Sequence, residues 1–136
     1  MYMKKKIMIV DEEVEMSVAK KQSYIVDDDE SVCRALKYLL ITFGFEVSTF
    51  LSAEKFFSAV PNSVYGCLIM DINMPGLDGW EALKRIIKSG SKRPVIIISA
   101  DKNGGMRKQA LKSGAVGFFQ KPINDQDLVD LINKTY

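Results

Sequence analysis

Short apolar runs alternate with amphipathic segments from residue 23 to the end of the chain. The apolar runs have few polar interruptions, as expected for buried strands. The segments between them have apolar residues three and four positions apart, as in helices. The predicted strands span residues 24–26, 45–50, 67–70, 95–98 and 116–119. The predicted helices span residues 30–43, 53–60 and 79–89, with a fourth ending near Ser113 and a fifth after Asn124.

Strands that alternate regularly with helices form a parallel sheet with helices packed on both of its faces. The third and fourth predicted strands support this arrangement, because neither has the polar alternation of a strand with one face in water. We therefore expect an α/β protein, a three-layer doubly wound sandwich built on a five-stranded parallel sheet. Ser52, Asp78 and Asn124 stand just before helical segments and are predicted to be their N-caps.

Composition narrows the classes of function. The 136 residues suit one domain with its own core, and a formal charge of +2 gives no support for a surface that coats nucleic acid. The sequence has no histidine, which excludes catalytic triads that use histidine and metal sites that use histidine ligands. Two cysteines are too few for a disulfide scaffold. No apolar run approaches the roughly 18 residues of a membrane span, and no export signal is recognised, so we expect a cytoplasmic protein.

Polar residues follow the predicted strands where ligands bind in such folds. Asp27 and Asp28 follow the first strand, Asp71 follows the third, Ser99 follows the fourth, and Lys121 lies just after the fifth. In open parallel α/β sheets, ligands bind beyond the carboxyl ends of the strands. We expect these five side chains to converge on one crevice.

Three carboxylates at one sheet edge repel each other, so either their pKa values rise or a cation lies among them. Oxygen ligands without a neighbouring histidine or cysteine favour a hard cation, Mg²⁺ first and Mn²⁺ next. Mg²⁺ commonly also binds phosphate oxygens, and both the Lys121 ammonium and the Ser99 hydroxyl can interact with a phosphoryl group. An aspartate can act as a nucleophile and form an acyl phosphate, so the pattern predicts a phosphoryl-transfer site.

Four motifs, in order, resemble the receiver domain of two-component response regulators. Residues 25–28 (Ile-Val-Asp-Asp) resemble the acidic pair after the family's first strand, and residues 68–79 resemble its phosphoacceptor strand and loop. Residues 96–100 match the strand that ends in a hydroxyl residue, and residues 119–122 (Phe-Gln-Lys-Pro) match the lysine strand. The resemblance covers residues 23–136 and implies a flavodoxin-like fold with the sheet order 2-1-3-4-5.

The resemblance implies a role for each acidic residue. Asp71 would accept a phosphoryl group from the phosphohistidine of a sensor histidine kinase or of a phosphotransfer protein. Mg²⁺, for which Mn²⁺ can substitute, would be bound by Asp27, Asp28, Asp71 and the backbone carbonyl of Asn73. The domain would catalyse only its own phosphorylation and dephosphorylation, and would otherwise be a signalling protein and not an enzyme.

The resemblance also implies how the phosphoryl group is bound and sensed. Ser99, Ala100 and Lys121 would bind its oxygens, and Phe118 would be the aromatic residue that turns inward. The peptide bond between Lys121 and Pro122 is expected to be cis. Two positions depart from the common pattern, because Ser99 replaces threonine and Phe118 replaces a tyrosine and lacks its hydroxyl group.

Phosphorylation would switch the surface formed by the fourth helix, fifth strand and fifth helix, which would control an output domain or a partner. A homodimer through that surface, or through the N-terminal extension, is a further expectation. Neither nucleic-acid binding by this domain nor membrane association is expected. The predicted helices end close to residue 136, so we expect no output domain; a stand-alone receiver and a piece of a longer regulator or hybrid kinase both fit.

Three other functions fit parts of the pattern. A phosphatase of the haloacid dehalogenase type also uses an aspartate nucleophile, but its general acid requires Asp at position 73, which is Asn. A flavin mononucleotide carrier needs a Ser-, Thr- or Gly-rich loop after the first strand, where residues 27–30 are acidic. A receiver that signals by protein contact without phosphorylation is disfavoured by the complete set of site residues.

The residues before this domain, Met1–Gln22, are predicted to be an N-terminal extension. Lys6–Glu13 resembles a second copy of the first strand and its acidic loop. Spacing favours the later copy, because Asp28 lies 43 positions before Asp71, a family-like interval, whereas Asp11 lies 60 positions before it. The extension is predicted to be a tail, an added edge strand or a strand lent to a neighbouring molecule.

Overall fold

The computed structural model describes residues 21–136, in which five strands and five helices alternate along the chain. The strands are β1 (Gln22–Val26), β2 (Glu46–Phe50), β3 (Cys67–Asp71), β4 (Val95–Ser99) and β5 (Gly117–Gln120). The helices are α1 (Glu30–Thr42), α2 (Ala53–Ala59), α3 (Gly79–Lys88), α4 (Met106–Lys112) and α5 (Asp125–Lys134). Among residues 21–136, none of the helices combines the length and the apolar character that a membrane span requires.

All five strands are parallel and lie in the order β2-β1-β3-β4-β5. Helices α2, α3 and α4 pack on one face of the sheet, against side chains such as Leu68 and Ile97. Helices α1 and α5 pack on the other face, against side chains such as Ile69 and Ile96. The predicted three-layer α/β fold and its strand order are confirmed.

Strands β3 and β4 form the centre of the core, and every residue in both is buried. Full burial of a large aliphatic side chain contributes about 1.5–3 kcal/mol relative to leaving it exposed. The two strands that carry Asp71 and Ser99 are therefore among the most strongly packed elements, and they form a rigid support for the residues at their ends.

Several predicted boundaries differ from the observed ones by one residue, each for a local reason. Strands β3 and β4 extend to Asp71 and Ser99 because sheet pairing continues through these polar residues. Strand β2 begins at Glu46, because the N–H group of Phe45 donates to the carbonyl of Leu40 at 3.0 Å and closes the end of α1. Strand β5 covers 117–120 instead of 116–119.

The three predicted N-caps are confirmed. The side chains of Ser52, Asp78 and Asn124 each accept a hydrogen bond from the backbone N–H group three residues later, at 2.9–3.1 Å. A fourth cap was not predicted: Asp29, the residue before α1, is its N-cap and accepts a hydrogen bond from the N–H group of Ser31 at 2.9 Å. These caps orient α1, α2, α3 and α5 relative to the strand ends that precede them.

The later of the two similar N-terminal segments forms β1. Gln22 is the first residue of this strand and not part of the extension as predicted, and the Lys21 carbonyl already accepts a hydrogen bond from the N–H group of Glu46. The predicted roles of the extension fall on residues 1–20, which lie outside the described residues.

Gly79, the first residue of α3, permits a close contact between that helix and the end of β3. Its N–H group donates to the Ile72 carbonyl at 2.9 Å, and a Cβ atom there would lie 2.6 Å from both the Asp71 carbonyl oxygen and the Ile72 Cα atom. Because these are backbone atoms, Gly79→Ala is expected to lower the free energy of unfolding by about 2 kcal/mol. Urea denaturation measures the loss.

Gly104→Ala is the matched control, since a Cβ atom at Gly104 has no neighbour within 4 Å. It is expected to change stability by less than about 0.5 kcal/mol. Equal stability of the two variants would show that the backbone at Gly79 relaxes at little cost.

Candidate functional site

The carboxyl ends of four parallel strands bring the predicted polar residues to one edge of the sheet. Asp71 and Ser99 are the last residues of β3 and β4, Asp27 follows β1, and Lys121 follows β5. Because parallel strands all end at the same edge, residues as far apart in sequence as Asp27 and Lys121 become neighbours.

Asp27, Asp28 and Asp71 form an acidic cluster, in which one carboxylate oxygen of each residue lies within 4.8 Å of the others. Asp27 is fully buried and Asp71 is 6% exposed, whereas Asp28 is open to solvent. The three carboxylates face one nearby ammonium group, that of Lys121, so negative charge is in excess. A donor set made only of oxygen atoms with excess negative charge fits a hard divalent cation such as Mg²⁺.

The buried Asp27 carboxylate is paired with Lys121. The Lys121 Nζ atom lies 2.9 Å from Asp27 Oδ2, and the backbone N–H group of Asp29 donates a hydrogen bond to Oδ1 at 2.9 Å. Burial disfavours the charged form of Lys121, but the hydrogen bond to Asp27 and the charge of that carboxylate outweigh this effect, so the pKa of Lys121 is raised. Lys121 therefore keeps its positive charge at neutral pH.

At Asp71, in contrast to Lys121, the surroundings favour the neutral form of the side chain. Burial, and after it the negative charge of Asp27, raises the pKa of Asp71 to about 6. Lys121 Nζ lies 3.8 Å from Asp71 Oδ2, and the N–H group of Asn73 lies 3.4 Å from Oδ1; both lower the pKa, but only partly compensate. The ionised Asp71 carboxylate is therefore left with repulsion that an added cation would relieve.

The raised pKa of Asp71 predicts a pH-dependent difference in stability. Between about pH 4 and pH 6 the folded protein keeps a proton on Asp71 that the unfolded chain releases, so stability from this group is lost as the pH rises through about 6. Asp71→Asn removes this loss and is expected to be more stable than the wild type at pH 7 by about 1–2 kcal/mol, with no gain near pH 4. Urea unfolding in the presence of a chelator tests this; a variant no more stable at pH 7 contradicts it.

Ser99 is at the predicted position, but its hydroxyl group is turned to its own loop. The Ser99 Oγ atom accepts a hydrogen bond from the N–H group of Asp101 at 3.0 Å and lies 3.9 Å from Met106 Sδ. Within residues 21–136 no hydrogen bond joins Ser99 to Asp71. Ala100, the next residue, is exposed beside this loop. A ligand at Asp71 would therefore have to recruit the Ser99 hydroxyl from these partners.

Phe118 already lies inside the protein. Its side chain is 6% exposed and belongs to the core between the sheet and helices α2 to α4, with the Arg107 guanidinium carbon 5.7 Å from the ring centroid. The peptide bond between Lys121 and Pro122 is cis. Phe118 on β5 thus contacts Arg107 on α4, and it connects that helix to the strand whose end carries Lys121.

Two neighbours of the site were missed by sequence reasoning. Glu54, in the first turn of α2, accepts a hydrogen bond from the N–H group of Leu77 at 3.3 Å and so contacts the loop that follows Asp71. Met106, the first residue of α4, contacts Ser99. A glutamate in a first turn and a methionine in a helix are common, so neither residue carried a signal of these contacts.

The chain is similar to known proteins in both sequence and fold. Residues 24–133 match the response regulator receiver domain family. The transcriptional regulatory protein FixJ of Bradyrhizobium diazoefficiens is 38% identical over 113 residues, which cover 83% of this chain and 55% of FixJ. The response regulator protein TmoT of Ectopseudomonas mendocina is 38% identical over 109 residues, 80% of this chain and 50% of TmoT. The crystal structure of FixJ-N superposes with a TM-score of 0.78 at 32% identity, covering 87% of this chain and 94% of that one.

The chain belongs to the response regulator receiver domain family, so the resemblance inferred from its motifs is confirmed. It is a domain of two-component signalling, of a class that serves as a signalling phosphoacceptor and not as a conventional enzyme. The chain spans about half the length of the curated relatives it matches, which are covered to 55%, 50% and 48%.

Proposed function

We propose that this protein accepts a phosphoryl group on Asp71 from the phosphohistidine of a sensor histidine kinase or of a phosphotransfer protein. The observation that carries the proposal is the position of the Asp71 carboxylate, at the end of β3 in the acidic cluster and 3.8 Å from Lys121 Nζ. Membership of the receiver family supports the choice of phosphodonor, because two-component signalling pairs such domains with histidine kinases.

The transfer requires an ionised Asp71. An Asp71 carboxylate oxygen attacks phosphorus, the bond from phosphorus to the histidine nitrogen breaks, and the electron pair leaves with that nitrogen. At neutral pH a pKa of about 6 leaves most Asp71 side chains ionised and reactive. The positive charge of Lys121, the Ser99 hydroxyl and the backbone N–H group of Ala100 are available to stabilise the phosphoryl oxygens.

The residues that would hold Mg²⁺, or Mn²⁺ in its place, are Asp27, Asp28 and Asp71, with the backbone carbonyl of Asn73. When bound, the ion neutralises negative charge on the phosphoryl oxygens and on the carboxylates around them. Asp27 is already bound to Lys121 and keeps that ammonium beside Asp71, and the exposed Asp28 provides the side of the cluster that is open to solvent.

The adduct would change the surface formed by α4, β5 and α5. A phosphoryl group adds about −1.5 to −2 charges. It would attract Lys121, at the end of β5, and the Ser99 hydroxyl, which now contacts Met106 at the start of α4. Phe118 and Arg107 join the same two elements, so a shift at either strand end is transmitted to α4. We propose that this surface acts on an output domain, a partner or a second copy of the chain.

We further propose that the protein acts in the cytoplasm, where histidine kinases present their phosphohistidine, and that this domain does not itself bind nucleic acid. Its formal charge of +2 supports the latter point.

The test is to incubate the protein with acetyl phosphate and Mg²⁺ and to measure the intact mass. One phosphoryl adduct per chain is expected, and none when a chelator removes the metal ion. An unmodified protein in the presence of Mg²⁺ would contradict the proposal and would favour a receiver that signals without phosphorylation. An adduct that forms equally with the chelator would contradict the proposed role of the acidic cluster.

A further inference from the structure

A groove between α3 and α4 is not used by the proposed phosphoryl transfer. It encloses about 440 Å³ and is lined by Trp80, Lys84, Ile87, Lys88, Gln109 and Ser113. Ile87 is 47% exposed, and it lies so close to the turn after α4 that a Cβ atom at Gly114 would be 2.7 Å from its Cδ1 atom. The groove therefore has an apolar floor that remains accessible to solvent.

The walls of the groove are basic. Lys84 and Lys88 lie one turn apart on α3, both exposed, and neither takes part in an ion pair within residues 21–136. The surrounding stretch, residues 79–116, contains nine lysines and arginines but only two carboxylates, those of Glu81 and Asp101. At the groove itself, the lining residues include two positively charged side chains, those of Lys84 and Lys88, and no carboxylate.

We propose that this groove binds the acidic segment 11–16 of the chain's own N-terminal extension. That segment reads Asp-Glu-Glu-Val-Glu-Met, with four carboxylates and two apolar residues in six positions. Its carboxylates complement Lys84 and Lys88, and its Val14 and Met16 complement Trp80 and Ile87. The inference does not depend on the phosphorylation of Asp71.

Lys21 and the C-terminal end of α3 lie at the same edge of the sheet. Lys21 lies at the edge of the sheet where the strands begin, and α3 runs back to the same edge, because β4 starts there soon after Lys88. Adjacent strands are about 4.8 Å apart, so β1 and β4, with β3 between them, are separated by roughly 10 Å. The groove lies on the helix layer and extends about 12 Å along α3 from Lys88 to Trp80, so the path is longer than this strand separation. When extended, the interval from Glu15 to Lys21 spans roughly 20 Å and that from Asp11 to Lys21 roughly 33 Å.

A weak contact is sufficient for this binding. Exposed ion pairs contribute little individually, so the isolated segment would bind with low affinity. A tether of a few residues supplies an effective concentration in the millimolar range, so an intrinsic dissociation constant of roughly 1 mM leaves about half of the molecules docked. The equilibrium would then respond strongly to salt, which screens the charges.

Trp80 makes the test direct, because it is the chain's single tryptophan and lines the groove. The probe is the full-length protein, and the measurements are the Trp80 emission maximum and acrylamide quenching at low salt. A variant with Asp11→Asn, Glu12→Gln, Glu13→Gln and Glu15→Gln is expected to shift the emission to longer wavelength and to increase quenching. Wild-type protein in about 1 M salt, where the Debye length is about 3 Å, is expected to behave like this variant.

Charge exchange provides the specific control. Lys84→Glu with Lys88→Glu is expected to release the segment, and adding Glu12→Lys and Glu13→Lys to that variant is expected to restore low quenching. Lys37→Glu with Lys55→Glu, at exposed lysines of α1 and α2, matches the change in charge and is expected to leave quenching at the wild-type value.

Unchanged quenching in the charge-neutralised variant at low salt would overturn the proposal. Quenching that decreases with rising protein concentration would show that the segment binds a second copy, which would overturn the intramolecular contact. Circular dichroism of each variant confirms that the fold is retained.

Discussion

Asp71→Asn is expected to gain no phosphoryl group from acetyl phosphate and Mg²⁺, under conditions in which the wild type gains one. The amide has no anionic oxygen to attack phosphorus, although it keeps the size of the side chain and should fill the same buried space at the end of β3. Intact-mass measurement over time is expected to show no phosphorylated species above background for this variant.

Asp78→Asn is the matched control for this experiment. Asp78 is exposed, lies in the loop that follows Asp71, and serves as the N-cap of α3, a role that asparagine performs equally well. The control should be phosphorylated at the wild-type rate. A phosphoryl adduct in Asp71→Asn, or its loss in Asp78→Asn, would mean that the acceptor has been misassigned.

Lys121→Met is expected to lower the free energy of unfolding at pH 7 by about 3 kcal/mol. The change leaves Asp27, which is fully buried, without its ammonium partner at 2.9 Å and beside the carboxylate of Asp71. Breaking a buried pair from one side is costly because the remaining charge stays desolvated. Lys121 itself is partly exposed, so the expected loss of stability lies at the lower end of the range that is usual for broken buried ion pairs. Urea denaturation in the presence of a chelator measures the effect.

A double-mutant cycle separates this charge effect from the loss of packing. Asp27→Asn removes the buried negative charge that Lys121→Met leaves unpaired. The variant that combines Asp27→Asn with Lys121→Met should therefore be more stable than Lys121→Met alone. Added Mg²⁺ should also recover part of the stability of Lys121→Met. Additive losses in the double variant would show that the pair contributes little, and that Lys121 stabilises the fold through its aliphatic chain.

The convergence of the site was predictable because it follows from topology. Once apolar runs and helical segments alternate, the sheet must be parallel, and a polar residue after each strand must lie at one edge. The proximity of Asp27, Asp28, Asp71 and Lys121 is therefore predictable without any knowledge of side-chain geometry. The strand order came from the resemblance to the receiver family, since periodicity alone does not specify which strands are neighbours.

The hydrogen-bond partners of the polar groups were not predictable in the same way. Ser99 was expected to face the acidic cluster, yet its hydroxyl contacts Asp101 and Met106, which depends on the path of one loop. Asp29 is the N-cap of α1, but it is one of four consecutive acidic residues, and the sequence does not distinguish it from its neighbours as the cap. Such choices depend on distances of a few tenths of an ångström, which residue types and spacing do not encode.

The pairing of Asp27 with Lys121 has a consequence for synthesis of the chain. The two residues are 94 positions apart, so the site uses both the first and the last strand of the fold. A nascent chain that already contains Asp71 lacks the ammonium until 50 more residues are added, which takes roughly 3–10 s at 5–20 residues per second. Asp71 is thus synthesised early, but its electrostatic environment is completed late. A chain truncated before β5 would present an aspartate without the positive charge beside it.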